Sequence, residues 1–277
     1  ISSAYGNMVL LVGYYLCILA EVIGMTDNTW IVAASEQMDV GTKVVLWSDP
    51  NGFSFYKNKS YKARDLSLDD LRKQIKCFVL HHSATYTAKH CYQGLNSRGL
   101  SVNFMIDDDC NENGYATIYQ CLDIKDIGWS QGSVNSLGPG VEICYQPAAW
   151  NTPDAYSEAN QKKYGVQPHS PVRDKIHGVS FSVFPPTEAQ IKSTIALMTG
   201  FCKLFPDVKP EFPKTVTGGI NKTTVGEYTG MISHFNITKS KVDPMGFPFE
   251  RAEEELKKNL NVEEPKGWFK KCLGYFV

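Results

Sequence analysis

The run Cys77-Phe-Val-Leu-His-His-Ser-Ala-Thr85 constrains this chain more than any other. An apolar stretch of strand length ends in two adjacent histidines and then turns polar, as a buried strand does when its exit carries metal-binding side chains. Successive strand residues face opposite sides. One of His81 and His82 can therefore reach a shared metal while the other supports or packs, and the alternation does not say which. Far downstream, Ser233-His-Phe-Asn-Ile-Thr-Lys-Ser-Lys-Val-Asp-Pro244 supplies His234, Lys241 and Asp243. Between the two, Gly140-Val-Glu-Ile-Cys-Tyr145 offers Glu142 on a second apolar strand. Two imidazoles and a carboxylate make a three-ligand zinc set with one open position.

The rest of the chain is long enough to build a scaffold for that set. With 277 residues, 43% of them hydrophobic, it fits one large domain or one domain with an extension. Lysine and arginine number 28 against 29 aspartates and glutamates, so there is no basic surplus and no nucleic-acid partner is expected. The eight cysteines are scattered without a C-x-x-C pair, which favours buried free thiols over a disulfide-rich secreted protein. Residues 8–25 are the most apolar window. They are marginal in length for a span, contain Glu21 and follow no basic residue, so a buried helix is preferred to a membrane helix or a signal peptide.

Local signals predict short strands over 42–47 and 53–56 around the turn at 48–52. Ser67 with Asp70 resembles a capping box before a helix over 68–75. A hairpin is expected from 102–106 and 115–120, and a strand over 141–145. Residues 145–186 form a long polar stretch, of the kind that is functional or carries its own small structure. Thr187 with Gln190 opens a helix to about 204, and a charged surface helix is expected over 250–260.

Several of these segments, in order, resemble the motifs of type-2 N-acetylmuramoyl-L-alanine amidases, the superfamily of phage lysozyme-type amidases, AmpD amidases and peptidoglycan-recognition proteins. Leu80-His-His-Ser-Ala-Thr85 resembles the first zinc motif, and Asn103-Phe-Met-Ile106 with Asn113-Gly-Tyr-Ala-Thr-Ile-Tyr-Gln120 the hairpin. Ile127-Gly-Trp129 resembles the tryptophan turn, and Asn135 with Gly140-Val-Glu-Ile143 the Asn…Ile-Gly-Ile-Glu strand. His234 with Lys241-Val-Asp-Pro-Met-Gly246 resembles the closing motif. The likeness spans about residues 75–260. It implies an α/β fold, a mixed central β-sheet flanked by helices with a zinc groove; the residues ahead of it read, from their own signals, as a small α+β N-terminal extension. It implies zinc on His81, His234 and Asp243, with Glu142 as catalytic acid/base and Lys241 as the lysine beside the metal. The substrate would be peptidoglycan or a muropeptide, in a phage virion or in the cytoplasm or periplasm of a bacterial host.

The chain departs from those motifs in three places. The tyrosine before the hairpin strand is Val102, the histidine after the turn tryptophan is Ser130, and the 145–186 stretch is longer than usual. The first two leave Glu142 as the general base. The third points to a reshaped groove, with His169, His177, Trp150 and Tyr156 as candidate substrate contacts or as packing for the loop. The alternative functions are a non-catalytic peptidoglycan-binding module and a structural virion module. On this reading residues 67–262 are the zinc amidase domain and 263–277 a tail. Residues 1–66 are a separable element that docks onto a larger assembly, in preference to a membrane.

Overall fold

The computed structural model describes residues 27–213, 218–220, 224 and 229–262. The apolar window at 8–25 and the tail at 263–277 lie outside them. In chain order the first elements are β1 (Trp30–Ala33), β2 (Glu36–Asp39), β3 (Val44–Leu46), β4 (Tyr61–Lys62), α1 (Leu68–Gln74) and β5 (Cys77–His82). There follow α2 (Ala88–Ser97), β6 (Phe104–Ile106), β7 (Ile118–Gln120), β8 (Ile127–Gly128) and β9 (Gly140–Ile143). The last are α3 (Glu158–Tyr164), β10 (Val172–Ile176), β11 (Val179–Val183), α4 (Glu188–Leu204), β12 (Gly230–Ser233), α5 (His234–Ile237) and α6 (Phe249–Asn259).

A six-stranded mixed sheet in the order β12-β5-β9-β6-β7-β3 forms the centre. β12, β5, β9 and β6 run parallel, β7 is antiparallel to β6, and β3 is parallel to β7 at the far edge. β5 is apolar without alternation because both its faces are covered. Phe78 and Leu80 join the main core, where the Phe78 ring meets Phe201 of α4 at 4.9 Å. Cys77 and Val79 point to the other face and pack with Val134 and Ile232. His81 belongs to this second face by alternation, and His82 to the first.

The predicted helix starts are present. The Ser67 hydroxyl accepts the Asp70 N–H at 3.2 Å. Thr187 and Gln190 make a reciprocal capping box, Gln190 N–H to Thr187 Oγ1 at 3.3 Å and Thr187 N–H to Gln190 Oε1 at 3.0 Å. Helix α6 is less of a surface helix than its charges suggest. Ala252, Glu253 and Leu256 are buried, and the Glu253 carboxylate accepts the Phe212 N–H at 2.8 Å.

Two expectations for the front of the chain differ from the structure. Residues 53–56 are not a strand; residues 55–58 form one turn of 3-10 helix that buries Phe55 among Tyr92 and the side chains of α2. Nor is the described part of residues 1–66 a separate body. β3 hydrogen-bonds to β7 inside the main sheet, and Ile31, Ala33 and Val44 are buried in the main core. Buried polar groups of the sheet hold the same segment. The Gln120 amide pairs with both backbone groups of Val32 at 2.7 and 2.8 Å, and Asp123 accepts the Ala34 N–H at 2.9 Å. Asp126 accepts the Tyr56 hydroxyl at 2.5 Å and the Arg64 N–H at 3.0 Å.

Candidate metal centre

Because β12, β5 and β9 are parallel, their C-terminal ends lie along one edge of the sheet. His81 is near the end of β5. Ser233, the last residue of β12, is paired with Leu80, and the chain turns there into α5, whose first residue is His234. This turn sets His234 beside His81 although 153 residues separate them in sequence. The Asp243 carbonyl accepts the Phe235 N–H at 3.2 Å, which folds the following loop back over α5.

Three donor atoms converge as a result. His81 Nδ1, His234 Nδ1 and Asp243 Oδ2 form a triangle with every side 3.0 Å. Among the described residues this is the one cluster of three such side chains close enough to share a metal ion. His81 is 1% exposed and Asp243 9%. Burial holds the His81 imidazole toward its neutral form. Burial alone would raise the Asp243 pKa, but its hydrogen bonds with His234 and His81 outweigh that and keep the carboxylate well below the usual range. Two imidazole nitrogens facing each other cannot both keep a proton at this distance, and one carboxylate oxygen faces them both. A set of electron-pair donors short of protons is what a cation satisfies, so the residues present fit zinc with its nitrogen and oxygen ligands.

His82, on the opposite face, takes no part in the triangle. Its Nδ1 accepts the Met245 N–H at 3.1 Å, two residues beyond Asp243. Burial pushes its pKa down to about 4, so the ring stays neutral and can accept that bond. The second histidine thus positions the loop that carries the third ligand.

Glu142 is paired in register with His81 on β5 and with Met105 on β6, so it shares the face of the triangle. It is 7% exposed, and its Oε2 has no hydrogen-bond partner. Burial and then the ionised Asp243 push its pKa up to about 8, with Arg98 and Lys241 opposing. Lys241 is exposed, and its charge acts on Glu142 and His81 without a contact to either.

The long stretch after β9 carries α3 and the hairpin β10–β11. His169 is internal to it: Nε2 meets Asp108 Oδ2 at 3.0 Å, Nδ1 meets the Pro185 carbonyl at 2.6 Å, and the ring stacks on Tyr156 at 3.8 Å. Both residues pack the loop. Trp150 is exposed against Phe181. His177 turns toward the Lys241 carbonyl, and Asp174, which no sequence motif marked, accepts the Gly246 N–H. The hairpin had only a partial signal, a glycine at 178 ahead of the alternating segment Val179-Ser-Phe-Ser-Val183.

Comparison with known proteins gives a family match and a structural likeness. The family model described as N-acetylmuramoyl-L-alanine amidase matches residues 71–246. Among solved structures the chain is similar to the N-acetylmuramyl-L-alanine amidase AmiD from E. coli, determined in complex with the substrate anhydro-N-acetylmuramic acid-L-Ala-D-gamma-Glu-L-Lys. The identity is 16% and the TM-score 0.43, over 82% of this chain and 65% of that one. The chain therefore spans just under two thirds of that protein's length. No curated protein matches the chain. Since the family match takes in more than half of the chain, with all three converging ligands and Glu142 inside it, the chain belongs to the N-acetylmuramoyl-L-alanine amidase family.

Proposed function

We propose that this protein is a zinc-dependent hydrolase that cleaves the amide bond between the lactyl group of N-acetylmuramic acid and L-alanine in peptidoglycan. The observation that carries this reading is the donor triangle of His81, His234 and Asp243 with the buried, unpartnered carboxyl of Glu142 on the same face. A zinc ion in that set would polarise the scissile carbonyl, lower the pKa of water to about 7 and, by its charge, draw the pKa of Glu142 down from its raised value. Glu142 takes the proton of the attacking water at its free Oε2 and passes it to the departing alanine nitrogen. Lys241 offsets the negative charge that builds on the carbonyl oxygen, from a distance at which it already acts on Glu142. A non-catalytic binding module is less well supported, because such a module has no use for three intact ligands beside an orphaned buried acid. We assign docking on a larger assembly to residues 8–25, whose apolar surface exceeds what a solvated linker carries.

The test is digestion of muropeptides followed by mass spectrometry. Purified protein is expected to hold about one zinc per chain and to release stem peptides with a free alanine amine. A chelator should abolish release and added zinc restore it. Digestion that continues at full rate after metal removal would sink the zinc reading. Zinc-loaded protein that binds muropeptides without cleaving them would favour the binding module.

A further inference from the structure

Asp243 sits in the short segment 241–246, and side chains grip that segment from two sides. From the core, His82 accepts the Met245 N–H, and the Tyr145 hydroxyl donates to the Met245 carbonyl at 2.5 Å. From the long stretch after β9, the hairpin β10–β11 grips both ends. His177 Nε2 donates to the Lys241 carbonyl at 2.9 Å, and Asp174 Oδ2 accepts the Gly246 N–H at 2.7 Å. The core contacts hold one residue, whereas the hairpin contacts bracket Asp243. The hairpin also reaches the other late ligand, since Ile176 and Val183 share an apolar cluster with Phe235, the neighbour of His234, and with Met245.

The turn of the hairpin carries a second sign of this role. His177 has φ +51° and Gly178 φ +82°, a two-residue connection with both residues in the left-handed region. Asn-Gly is the pair such a turn prefers. Histidine is tolerated there but not favoured by the turn itself. Its imidazole does reach the Lys241 carbonyl, which a shorter asparagine side chain cannot do from the same backbone position.

We propose that the β10–β11 hairpin sets how tightly the protein holds its metal, with Asp174 and His177 as positioning residues that keep Asp243 in the donor triangle. This rests on the zinc reading above. Partners that orient metal ligands typically change metal affinity by about 10–100-fold when removed.

The experiment uses full-length parental protein, Asp174→Ala, Asp174→Asn and His177→Asn. Two quantities are read: the zinc dissociation constant, by competition with a chromophoric chelator, and the melting temperature of the metal-free protein. His177→Asn and Asp174→Ala should each weaken zinc by about tenfold or more. Metal-free His177→Asn should melt no lower than the parent, because Asn-Gly suits the turn. Asp174→Asn keeps an oxygen acceptor for the Gly246 N–H and should recover most of the affinity. Zinc constants within twofold of the parent for both His177→Asn and Asp174→Ala would overturn the proposal. So would a weaker zinc constant in His177→Asn matched by a lower metal-free melting temperature, which would make the role structural. Failure of the parent to bind zinc at all would instead overturn the metal reading itself, and this proposal with it.

Discussion

Replacing Glu142 by glutamine is expected to make the metal-free protein more stable and the enzyme inactive. The two effects share a cause. In the fold, burial and the ionised Asp243 raise the Glu142 pKa from an ordinary 4.5 to about 8. An acid whose folded pKa is raised contributes most at low pH. Above its unfolded pKa the unfolded chain gains from ionisation while the folded chain does not, so stability falls until the folded pKa is passed. The contribution of Glu142 to the stability of the metal-free parent should therefore fall between about pH 4.5 and pH 8, on the order of 1–3 kcal/mol at neutrality, whatever the buried histidines add to both proteins alike. Glu142→Gln lacks that contribution. Its advantage in thermal melts should be small at pH 5, grow toward pH 8 and then level off. Muropeptide cleavage by the zinc-loaded variant should drop about 10²–10⁴-fold, the usual contribution of a general acid–base group. Parental cleavage rates in Glu142→Gln would remove Glu142 from the mechanism, and parallel melting curves at every pH would show that its carboxyl is not strained by the fold.

Deleting residues 1–66 is expected to prevent folding rather than to release a minimal domain. The cut removes Ile31, Val44 and Phe55 from two cores, each of which stabilises by about 1.5–3 kcal/mol when buried. It also removes the Val32, Ala34 and Tyr56 partners of the buried Gln120, Asp123 and Asp126 side chains. Each hydrogen bond lost this way removes about 0.5–1.5 kcal/mol, and about 1.5–3 kcal/mol where the acceptor is a carboxylate. Together these losses reach or exceed the ~5–15 kcal/mol by which a domain is stable. Residues 67–277 should be insoluble or show no cooperative melt. A chain cut after residue 26 keeps every contact just named and is the informative control. If the 67–277 protein melts cooperatively near the parental temperature, the front strands are an ornament on a self-sufficient core.

How much of this was legible beforehand depends on the range over which each signal acts. His81, His234, Asp243 and Glu142 could be found because a short apolar strand with a charged or imidazole exit is a local pattern, and such segments stood among five motifs in a familiar order. The Ser67 N-cap and the Thr187 capping box could be read for the same reason, each being complete within four residues. The integration of the front segment could not. β3 is three residues long and carries no period, and the bonds that hold its neighbourhood, such as Gln120 to Val32, run between residues 88 apart. Residues 53–56 look like a strand because they are aromatic, yet the Phe53 and Phe55 rings fill the space against Tyr92 of α2. Asp174 was invisible because its partner is a backbone N–H 72 residues away, a contact that leaves no mark on composition.

The place of β12 has a consequence for how the protein breathes. It is the outer strand on its side of the sheet, and the turn at its end delivers His234, with Asp243 soon after. A brief detachment of that edge would carry two of the three ligands away from His81 at once. Among the described residues only the segment 209–211 bonds to the outer side of β12, through Lys209 against Gly230 and the Met231 N–H to the Glu211 carbonyl, and local openings cost less where an element has fewer contacts than the centre of the core. A bound metal would then act as a latch between the edge and the interior, and amide exchange can time it. Without metal, the amides of residues 230–233 should exchange much faster than those of β5. With zinc, the difference should narrow by the free energy of binding, up to the limit set by global unfolding.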